Sequence, residues 1–544
     1  MNKKSSMLKL YVRDKLYGNG TEKSKMDHQK PLNLIKTTPM WKTFLVEFCN
    51  NSSLHALNQV AKPIYSIYER KRFLWTSLFV LGVLGATYTC KETWTRYETS
   101  TTNTVIETTR YSYSNVPFPS VTICDKSRVD WTRAMALTHE DIPEPFEDNK
   151  EKMLNLLKRV AYAGFGDFDF FDQIRLENST DFSSLNVINM TDILLKVMRP
   201  CEEMFFEWCW FRDLEYDCCR IFELQRTELG FCWSFNSDTA ESSRELSRGW
   251  QLSGLDYWID RHGWRRPWRT AQHGTWSGLR FKVIPLTEEK LPPDGNHTTT
   301  GVAVSVADPK SELHNTFLSV STGLEVRMPV WGENLFATEG VSKLSFEARQ
   351  CLFPDEDPFG LPQGFYLAAN CIAACYQNYT VKYCNCSPDF IFYDRDGKGN
   401  YFKPCDAEGL LCLSEFNDIF TYEVPPIVSE FFPSNKVGIN CSCPSDCTSQ
   451  LYVTDLAAPS IANISSYTDI DVHFRQASCI RYRTAVVFQW LDMVVSFGGI
   501  AGLFLGASLL SAAEILYFCT GRCIFNWMNS TKSKHIRPIH PFLQ

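Results

Sequence analysis

The stretch VVFQWLDMVVSFGGIAGLFLGASLLSAAEILYF, residues 486–518, decides the fold because it is apolar almost throughout. A membrane-spanning helix needs only about 20 apolar residues to cross a hydrocarbon core of about 30 Å. This run is much longer, so a straight helix would overshoot the bilayer, and tilt alone would not easily absorb the excess. The run therefore predicts a membrane span with either unusual geometry or unusual packing.

The glycines of this run allow two interpretations. Gly498, Gly502 and Gly506 recur every four residues and share one helical face, which is typical of a helix-packing seam. Alternatively, the helix breaks at residues 506–508, because non-helical backbone at membrane depth is tolerated where it is buried in protein or lines a water-filled cavity. A break with carbonyls and a hydroxyl, followed one to two turns later by the carboxylate of Glu514, has the groups that a cation filter needs.

The segment GGIAGLFLGASLLSAAEILYF, residues 498–518, resembles the second transmembrane segment of the degenerin/epithelial sodium channel family, in which the Gly-x-Ser belt is the selectivity filter. The resemblance implies that Gly506, Ala507 and Ser508 form the constriction that strips water from sodium. It implies that Glu514 concentrates cations on the cytoplasmic side. It also implies a pore blocker of the amiloride type and no cofactor besides the permeant sodium ion.

Two positions near the start of the run are further pore candidates. Asp492 is expected either to concentrate cations at the outer mouth or to be a helix-end charge at the interface. Val495 lies at the position where bulky residues in relatives hold the pore open, and its intermediate size predicts nothing about basal activity.

Composition excludes several classes of function. The chain of 544 residues has 21 cysteines and 15 tryptophans, and its net charge of −7 offers no basic excess to neutralise nucleic-acid phosphate. It has no Gly-rich phosphate loop, HExxH or GxSxG motif, and no nucleophile–base or metal constellation, so an enzyme is not expected. The first forty residues are polar and lysine-rich, which does not resemble a secretory signal peptide.

A second apolar run, FLWTSLFVLGVLGATYTC at residues 73–90, predicts another membrane span, with a buried core helix as the alternative. The basic residues 70–72 precede it and place the N-terminus in the cytoplasm. Sixteen cysteines lie between Cys124 and Cys447, an even number that an oxidising compartment favours. Glycosylation sequons in the same region begin at Asn178, Asn189, Asn296, Asn378 and Asn463.

These observations predict a plasma-membrane protein of α+β class with two spans, both termini in the cytoplasm and a large disulfide-rich ectodomain. The predicted segments are a cytoplasmic region 1–72, a first span 73–90, an ectodomain 91–485, a second span 486–518 and a tail 519–544. The family resemblance implies a homotrimer whose ectodomain has a palm sheet, a β-ball, a finger near 125–230, a thumb near 351–447 and a knuckle.

The resemblance also implies a disulfide pattern. The implied pairs are Cys124–Cys232, Cys209–Cys218, Cys351–Cys447, Cys371–Cys443, Cys375–Cys441, Cys384–Cys412 and Cys386–Cys405. A bridge between Cys201 and Cys219 would be an addition suggested by elimination, and Cys479 is left over.

Two gating candidates rest on the same resemblance. His55 is followed by Ala56 where the family usually has His-Gly before the first span, and a purely structural histidine is the alternative. Tyr97 falls where the family has an aromatic residue at the wrist between membrane and ectodomain. The tryptophan that meets this aromatic residue in acid-sensing relatives is replaced by Ala348.

Two aromatic-rich segments of the ectodomain each allow two interpretations. In GFGDFDFFD, residues 164–172, the phenylalanines either pack into the domain or form a pocket wall for a cationic amphipathic ligand. The candidate ligand contacts are Asp167, Phe168, Asp169, Phe170 and Phe171. The basic segment GWQLSGLDYWIDRHGWRRPWR, residues 249–269, predicts a surface hairpin anchored by tryptophans or a subunit contact.

The stimulus is predicted by subtraction. Acid-sensing relatives carry two thumb carboxylates where this chain has Ser414 and Asp418, and residues 519–544 contain no PPxY motif of the constitutive epithelial channels. We therefore expect an amidated neuropeptide of the FMRFamide type to open the channel. Proton gating, constitutive or mechanosensitive activity are alternatives within the family, and a non-conducting cell-surface receptor is an alternative outside it.

Overall fold

The computed structural model describes residues 40–61, 69–99, 101–171, 182–244, 257–293, 301–312, 316–395, 397–424, 436–455, 457–461 and 467–522. Short 3-10 turns occur at Tyr113–Asn115, Asp169–Phe171, Ser183–Leu185 and Glu288–Lys290, and a π-helical turn at Tyr517–Arg522. The α-helices of these residues are α1 Met40–Asn51, α2 Leu57–Ala61, α3 Glu69–Thr99, α4 Trp131–Met135, α5 Phe146–Val160, α6 Met190–Val197, α7 Cys201–Met204, α8 Cys218–Ile221, α9 Glu339–Ser342, α10 Phe346–Arg349, α11 Ala368–Cys384, α12 Ala407–Glu415, α13 Asn417–Thr421, α14 Trp490–Leu505 and α15 Leu509–Leu516.

The strands form two principal sheets and two short strand pairs. They are β1 Thr102–Ser112, β2 Ser120–Asp125, β3 Cys209–Phe211, β4 Leu214–Tyr216, β5 Phe222–Thr227, β6 Gly230–Phe235, β7 Trp258–Ile259, β8 Arg265–Arg266, β9 Leu279–Val283, β10 Gly301–Ala307, β11 Phe317–Ser321, β12 Leu324–Ala337, β13 Cys351–Leu352, β14 Ser445–Asp446, β15 Ser449–Thr454, β16 Ala457–Ile461, β17 Thr468–Phe474 and β18 Ser478–Val486.

The chain divides into two compact units. The membrane unit consists of Met1–Lys91 and Val494–Gln544, and the large unit is Glu92–Met493. Among the described residues, one helical stretch, Arg72–Glu98, is long and apolar enough to span a bilayer, and the bent pair Trp490–Leu505 and Leu509–Gly521 also qualifies if it counts as one span.

Helix and strand ends do not coincide with the predicted span bounds, which stay predictions. The first helix does not end at Cys90 but continues to Thr99, because residues 91–99 contain no glycine or proline to stop it. The second helix does not begin at Val486, which is the last residue of β18; α14 begins at Trp490. The β-branched residues and the tyrosine of SCIRYRTAV favour a strand up to that point.

The palm-type sheet of the large unit has nine strands. Its main path is β1-β18-β12-β17-β9-β3-β4, and β15 and β16 also pair with β12. The long strand β12 runs parallel to both β17 and β18. Strand β9 alternates buried and half-buried residues, as expected for a strand with one covered face. A separate five-stranded sheet, β11-β10-β2-β6-β5, contains the strand β2 of the segment VPFPSVTIC, which therefore does not belong to the palm-type sheet.

Aromatic rings fill the core of the large sheet. Tyr113 and Phe474 stack with ring centroids 3.7 Å apart, and Phe118 meets Phe474 edge-on at 5.3 Å. The buried hydroxyl of Tyr113 accepts a hydrogen bond of 2.9 Å from the amide of Gly332 in β12. Burial is also the main reason that the pKa of Tyr113 is raised to about 12. The ring therefore combines apolar packing with satisfaction of a buried backbone donor.

A second core joins the finger-type and thumb-type helices. Helix α5 buries Met153, Leu156, Leu157 and Val160, spaced three and four residues apart on one face. Acidic residues occupy its first turn and basic residues its last turn, which complements the helix dipole. This face lies in one cluster with buried leucines of α12, such as Leu410.

Eight disulfides cross-link the large unit, and seven of them are the pairs that the family resemblance implied. The eighth joins Cys201 to Cys219. Cys479 is a free, buried thiol in β18. Three bridges hold α11 to the segment at 441–447 or to α12, so the thumb-type region is cross-linked along its length.

Replacing Tyr113 by phenylalanine keeps the stacked ring and leaves the Gly332 amide buried without its acceptor. We expect a loss of about 1–3 kcal/mol of stability, the usual cost of an unsatisfied buried donor. The measurement is hydrogen exchange at the Gly332 amide, which should become faster.

Tyr111→Phe is the matched control. Its ring lies 4.4 Å from the guanidinium of Arg481, a contact that phenylalanine keeps, and its hydroxyl has no hydrogen bond to a described residue. Equal exchange at Gly332 in wild type and Tyr113→Phe would contradict the role assigned to this hydroxyl.

Candidate functional site

The second apolar helical segment is interrupted at residues 506–508. Helix α14 ends at Leu505, α15 begins at Leu509, and the two helices are bent by 80° relative to one another. The break interpretation of the sequence is therefore the one that the structure adopts.

The backbone conformation and the hydrogen bonds of Gly506 and Ala507 allow α14 to end at the break. Gly506 has a φ of +64°, the left-handed conformation in which glycine commonly ends a helix. Its amide donates to the Gly502 carbonyl at 3.0 Å, and the Ala507 amide donates to the Ala501 carbonyl at 3.2 Å. The chain can therefore leave α14 with these two donors satisfied.

Ser508 starts the next helix as its N-cap. Its hydroxyl accepts from the Ser511 amide at 3.3 Å, and the Ser511 hydroxyl accepts from the Ser508 amide at 3.1 Å. This reciprocal pair is a capping box, which satisfies two donors that a helix start otherwise leaves open. The serine of the predicted filter thus has a structural task in addition to any contact with ions.

The segment before α2 packs against the break. The His55 amide donates to the Leu505 carbonyl at 2.9 Å, so it satisfies one of the last acceptors of α14. A Cβ at Gly506 would lie only 2.0 Å from Nδ1 of His55. Gly506 is therefore required both by its backbone conformation and by the histidine beside it. The structure thus brings His55 next to the residues predicted to form the filter.

Ser53 and Ser511 belong to the same site, although the sequence analysis did not single them out. The amide and the hydroxyl of Ser53 both donate to Oε2 of Glu514, at 3.1 and 2.9 Å. The hydroxyls of Ser53 and Ser511 are 2.6 Å apart. The predicted cation-concentrating carboxylate of Glu514 therefore also holds the segment that contains His55. The Ser-x-x-Ser spacing at 508–511 was an available signal of a helix cap, but Ser53 had none.

Ala56 occupies an unusual backbone conformation. Its φ is +70°, in the region that L-residues with a Cβ rarely adopt and that glycine adopts freely. The turn at Ala56 therefore forms at the cost of backbone strain. Strain of this kind is of order 1–2 kcal/mol.

Close helix packing involves other glycines than the predicted ones. A Cβ at Gly498 or Gly499 would meet no described atom within 4 Å, so within one chain these two glycines pack against no other helix, and a seam between copies stays a prediction. Instead, α3 approaches α14 through Gly82 and Gly85, where an added Cβ would lie 3.0 Å from the Phe504 carbonyl oxygen and 2.6 Å from its ring.

The two pore candidates near the start of α14, Asp492 and Val495, lie at the surface of the helix. Asp492 lies in the first turn and accepts a hydrogen bond of 2.9 Å from the Gln489 amide, which is the geometry of a helix-end charge. Its role at an outer mouth stays a prediction. Val495 is 66 % exposed within the single chain, so its side chain is available to water, lipid or a neighbouring copy.

The wrist tyrosine has a partner other than the one known from acid-sensing relatives. Tyr97 meets Phe488 edge-on, with ring centroids 6.2 Å apart, and Trp94 at 6.0 Å. Ala348 still contributes to this region, because its carbonyl accepts from the Thr101 hydroxyl at 3.0 Å. Phe488 thus supplies the aromatic contact that Ala348 lacks.

The aromatic-acidic run of the finger divides into buried rings and exposed carboxylates. Phe168 and Phe171 are fully buried, so in this structure neither ring is available to a ligand. Asp167 and Asp169 are exposed, and the Asn417 side chain fixes the run by donating to Oδ1 of Asp169 and accepting from the Phe168 amide. The side chain of Phe170 lies outside the described residues.

The predicted glycosylation sites are partly described. Asn189 and Asn378 are exposed, whereas Asn178, Asn296 and Asn463 lie outside the described residues. The Oδ1 atom of Asn189 accepts from the Thr191 amide as the N-cap of α6.

The interrupted apolar helix pair, the histidine segment against it and the disulfide-rich large unit point to a membrane channel. The family profile described as amiloride-sensitive sodium channel matches residues 48–518. The chain belongs to that family, the degenerin/epithelial sodium channel family, whose members are integral plasma-membrane channels and not enzymes.

Relatives include insect and vertebrate channels. The chain is 25 % identical over 515 residues to pickpocket protein 19 of Drosophila melanogaster. The aligned residues cover 92 % of this chain and 95 % of the relative. It is 22 % identical over 529 residues to the sodium channel protein Nach of the same organism, covering 91 % of each. It is also 22 % identical over 493 residues to acid-sensing ion channel 1C of Danio rerio, covering 86 % and 82 %.

Replacing Ala56 by glycine should stabilise the segment that contains His55. Glycine adopts the same φ without strain, although it gains more freedom in the unfolded chain, so we expect a net effect of about 1 kcal/mol. The measurement is hydrogen exchange over residues 52–60, which should become slower.

Ala512→Gly is the control, and it should change stability in the opposite direction. Ala512 is exposed inside α15, where glycine lowers helix stability by about 1 kcal/mol. Faster exchange over residues 52–60 in Ala56→Gly would contradict the strain assigned to Ala56.

Proposed function

We propose that three copies of this chain surround a sodium-selective pore whose narrowest part is formed by Gly506, Ala507 and Ser508, and that an extracellular peptide opens it. The observation that carries the pore proposal is the helix break, in which the chain turns by 80° at three small residues. Small residues let the backbone approach an ion closely, and backbone carbonyls can replace part of its hydration shell. Glu514 adds negative charge one to two turns beyond the break.

Replacing Ser508 by alanine tests the filter. The change removes a hydroxyl from the proposed constriction and one hydrogen bond of the capping box, so we expect the ratio of sodium to potassium permeability to change by severalfold. The measurement is the shift of reversal potential when sodium is exchanged for potassium outside the cell.

Ser496→Ala is the matched control, because Ser496 is a serine of α14 away from the break. An unaltered permeability ratio with normal currents in Ser508→Ala would contradict the filter assignment.

The proposed ligand is an amidated neuropeptide of the FMRFamide type. The exposed carboxylates Asp167 and Asp169 support it, since a peptide with a basic residue and no terminal carboxylate has a net positive charge to place against them. The thumb position Ser414 is buried and uncharged, and only Asp418 is exposed, so the carboxylate pair of acid-sensing relatives is not available there.

Acid gating is a second candidate because burial raises the pKa of other carboxylates, among them Asp238 and Asp446, into a useful range. Burial is the main reason that the pKa of Asp238 and of Asp446 is raised to about 6, and the Asp308 carboxylate contributes in the same direction. Since these values lie above the ordinary value near 4, the folded protein binds more protons between about pH 4 and about pH 6. Stability contributed by these groups therefore rises as pH falls through that window. Asp446 accepts from the Ala368 amide at 2.9 Å, at the start of α11.

Recording from oocytes separates the two stimuli. We expect inward sodium current with amidated peptides, little current with their free-acid forms, and none with a step from about pH 7.5 to about pH 5. Asp167→Asn should raise the peptide concentration for half activation severalfold, because one attracting charge is lost. Asp418→Asn, an exposed carboxylate of α13, is the control that should leave it unchanged.

Current evoked by acid alone would overturn the peptide proposal. If Asp446→Asn then removed the acid response, the second candidate would replace it. A chain that conducts under neither stimulus would favour a non-conducting receptor.

A further inference from the structure

The cavity in the large unit between the hairpin β3–β4 and the tryptophan-rich hairpin β7–β8 has no assigned role. Its volume is about 500 Å³, within the range of small-molecule sites. One wall comes from the hairpin β3–β4 and the other from the hairpin β7–β8 and the residues just after it. The residues 245–256 before β7 lie outside the described part of the chain and enter no step below.

The apolar wall of the cavity is a set of aromatic rings in mutual contact. The Tyr216 ring lies 5.7 Å from that of Trp264 and 5.0 Å from that of Trp268, and the two tryptophans are 5.5 Å apart. Phe211 meets Trp268 at 4.9 Å and belongs to the buried core of the large sheet. Rings that hold one another in this way form a preformed surface for a flat apolar group.

The charge of the cavity has one sign. Arg212, Arg265 and Arg269 line it, and no aspartate or glutamate is among the described lining residues. Neither Arg212 nor Arg265 forms an ion pair with a described residue. Arg212 donates to the Arg269 carbonyl at 3.3 Å, and Arg265 lies over the Tyr257 ring at 4.8 Å. The guanidinium groups of Arg212 and Arg265 are therefore suited to bind a carboxylate or sulfonate, which guanidinium groups hold through two parallel hydrogen bonds.

The hairpin that carries Arg265 is held rigidly. Asp260 is buried and its Oδ1 accepts from the amides of His262 and Trp264, both at 2.9 Å. Its Oδ2 accepts from Nε of Arg266 at 2.8 Å, in an ion pair whose two side chains are nearly inaccessible. The remaining basic residue of this strand, Arg265, is exposed, so one arginine of the pair is structural and the other is available.

We propose that this cavity binds a small amphipathic anion: a planar apolar body against the tryptophans and one carboxylate or sulfonate at Arg212 and Arg265. The same charges disfavour a cationic amidated peptide, so the site is distinct from the peptide site proposed above. The hairpin thus has a ligand-binding surface in addition to the tryptophan anchoring expected from the sequence.

The test measures binding of naphthalene-2-sulfonate to the purified full chain in nanodiscs, by saturation-transfer NMR, with empty nanodiscs subtracted. We expect saturable binding by wild type, and no saturable binding of the matched cation naphthalene-2-methylammonium. Arg212→Gln combined with Arg265→Gln should raise the dissociation constant about tenfold or more, since both proposed anion contacts are lost.

Arg261→Gln is the matched control, because Arg261 is an exposed arginine of the same hairpin that does not line the cavity. It should bind like wild type. Trp264→Leu should weaken binding through the apolar wall while all arginines remain, and it gives a second readout if the double variant does not fold.

Three results would overturn the proposal: no saturable binding by wild type, equal binding of the cation, or equal affinity in wild type, the double variant and Trp264→Leu. Because binding is measured without current, failure here leaves the pore and its stimulus unaffected, and failure of those leaves this result standing.

Discussion

A backbone that leaves its helix at membrane depth must find partners for its amides and carbonyls, because each unsatisfied group in hydrocarbon costs several kcal/mol. The interruption between α14 and α15 meets this constraint with local means. Gly506 and Ala507 donate back into α14, Ser508 and Ser511 cap α15, and the His55 amide satisfies the Leu505 carbonyl. The hydrogen bonds of the break therefore stabilise a bend that apolar sequence alone would not form.

The same constraint explains why the segment around His55 is part of the site. It supplies an amide to α14, and Ser53 holds the carboxylate of Glu514 in α15. One short stretch of chain thus contacts both halves of the broken span. Movement of the segment that contains Ser53 and His55 would remove a hydrogen-bond partner from both α14 and α15. This gives a physical reason for a link between the histidine segment and conduction. The strained Ala56 lies at the turn of this stretch.

Much of this architecture could be predicted from the sequence, because its signals are local or repeated. The excess length of the second span and its small residues indicated the break, and the cysteine pattern, read through the family, indicated seven disulfides. The contact of Ser53 with Glu514 could not be predicted, since the two residues are 461 positions apart and serine is common in loops.

The helix ends also differed: β18 continues to Val486, and α3 continues to Thr99, since boundaries depend on strand pairing and on the absence of a stop signal. Phe168 and Phe171 lie in a core because their neighbours on α12 and α13 are apolar, which a pattern of nine residues does not reveal.

Accessibility of the break to ions is the most direct test of the account. Ala507→Cys places a thiol between the two helices, and external cadmium should block the current of this variant at concentrations that leave wild type conducting. Leu503→Cys is the control, because this exposed side chain of α14 lies just before the break. The account predicts block of Ala507→Cys and little effect on Leu503→Cys. Undiminished current in Ala507→Cys under cadmium, with the thiol shown to be present, would contradict it.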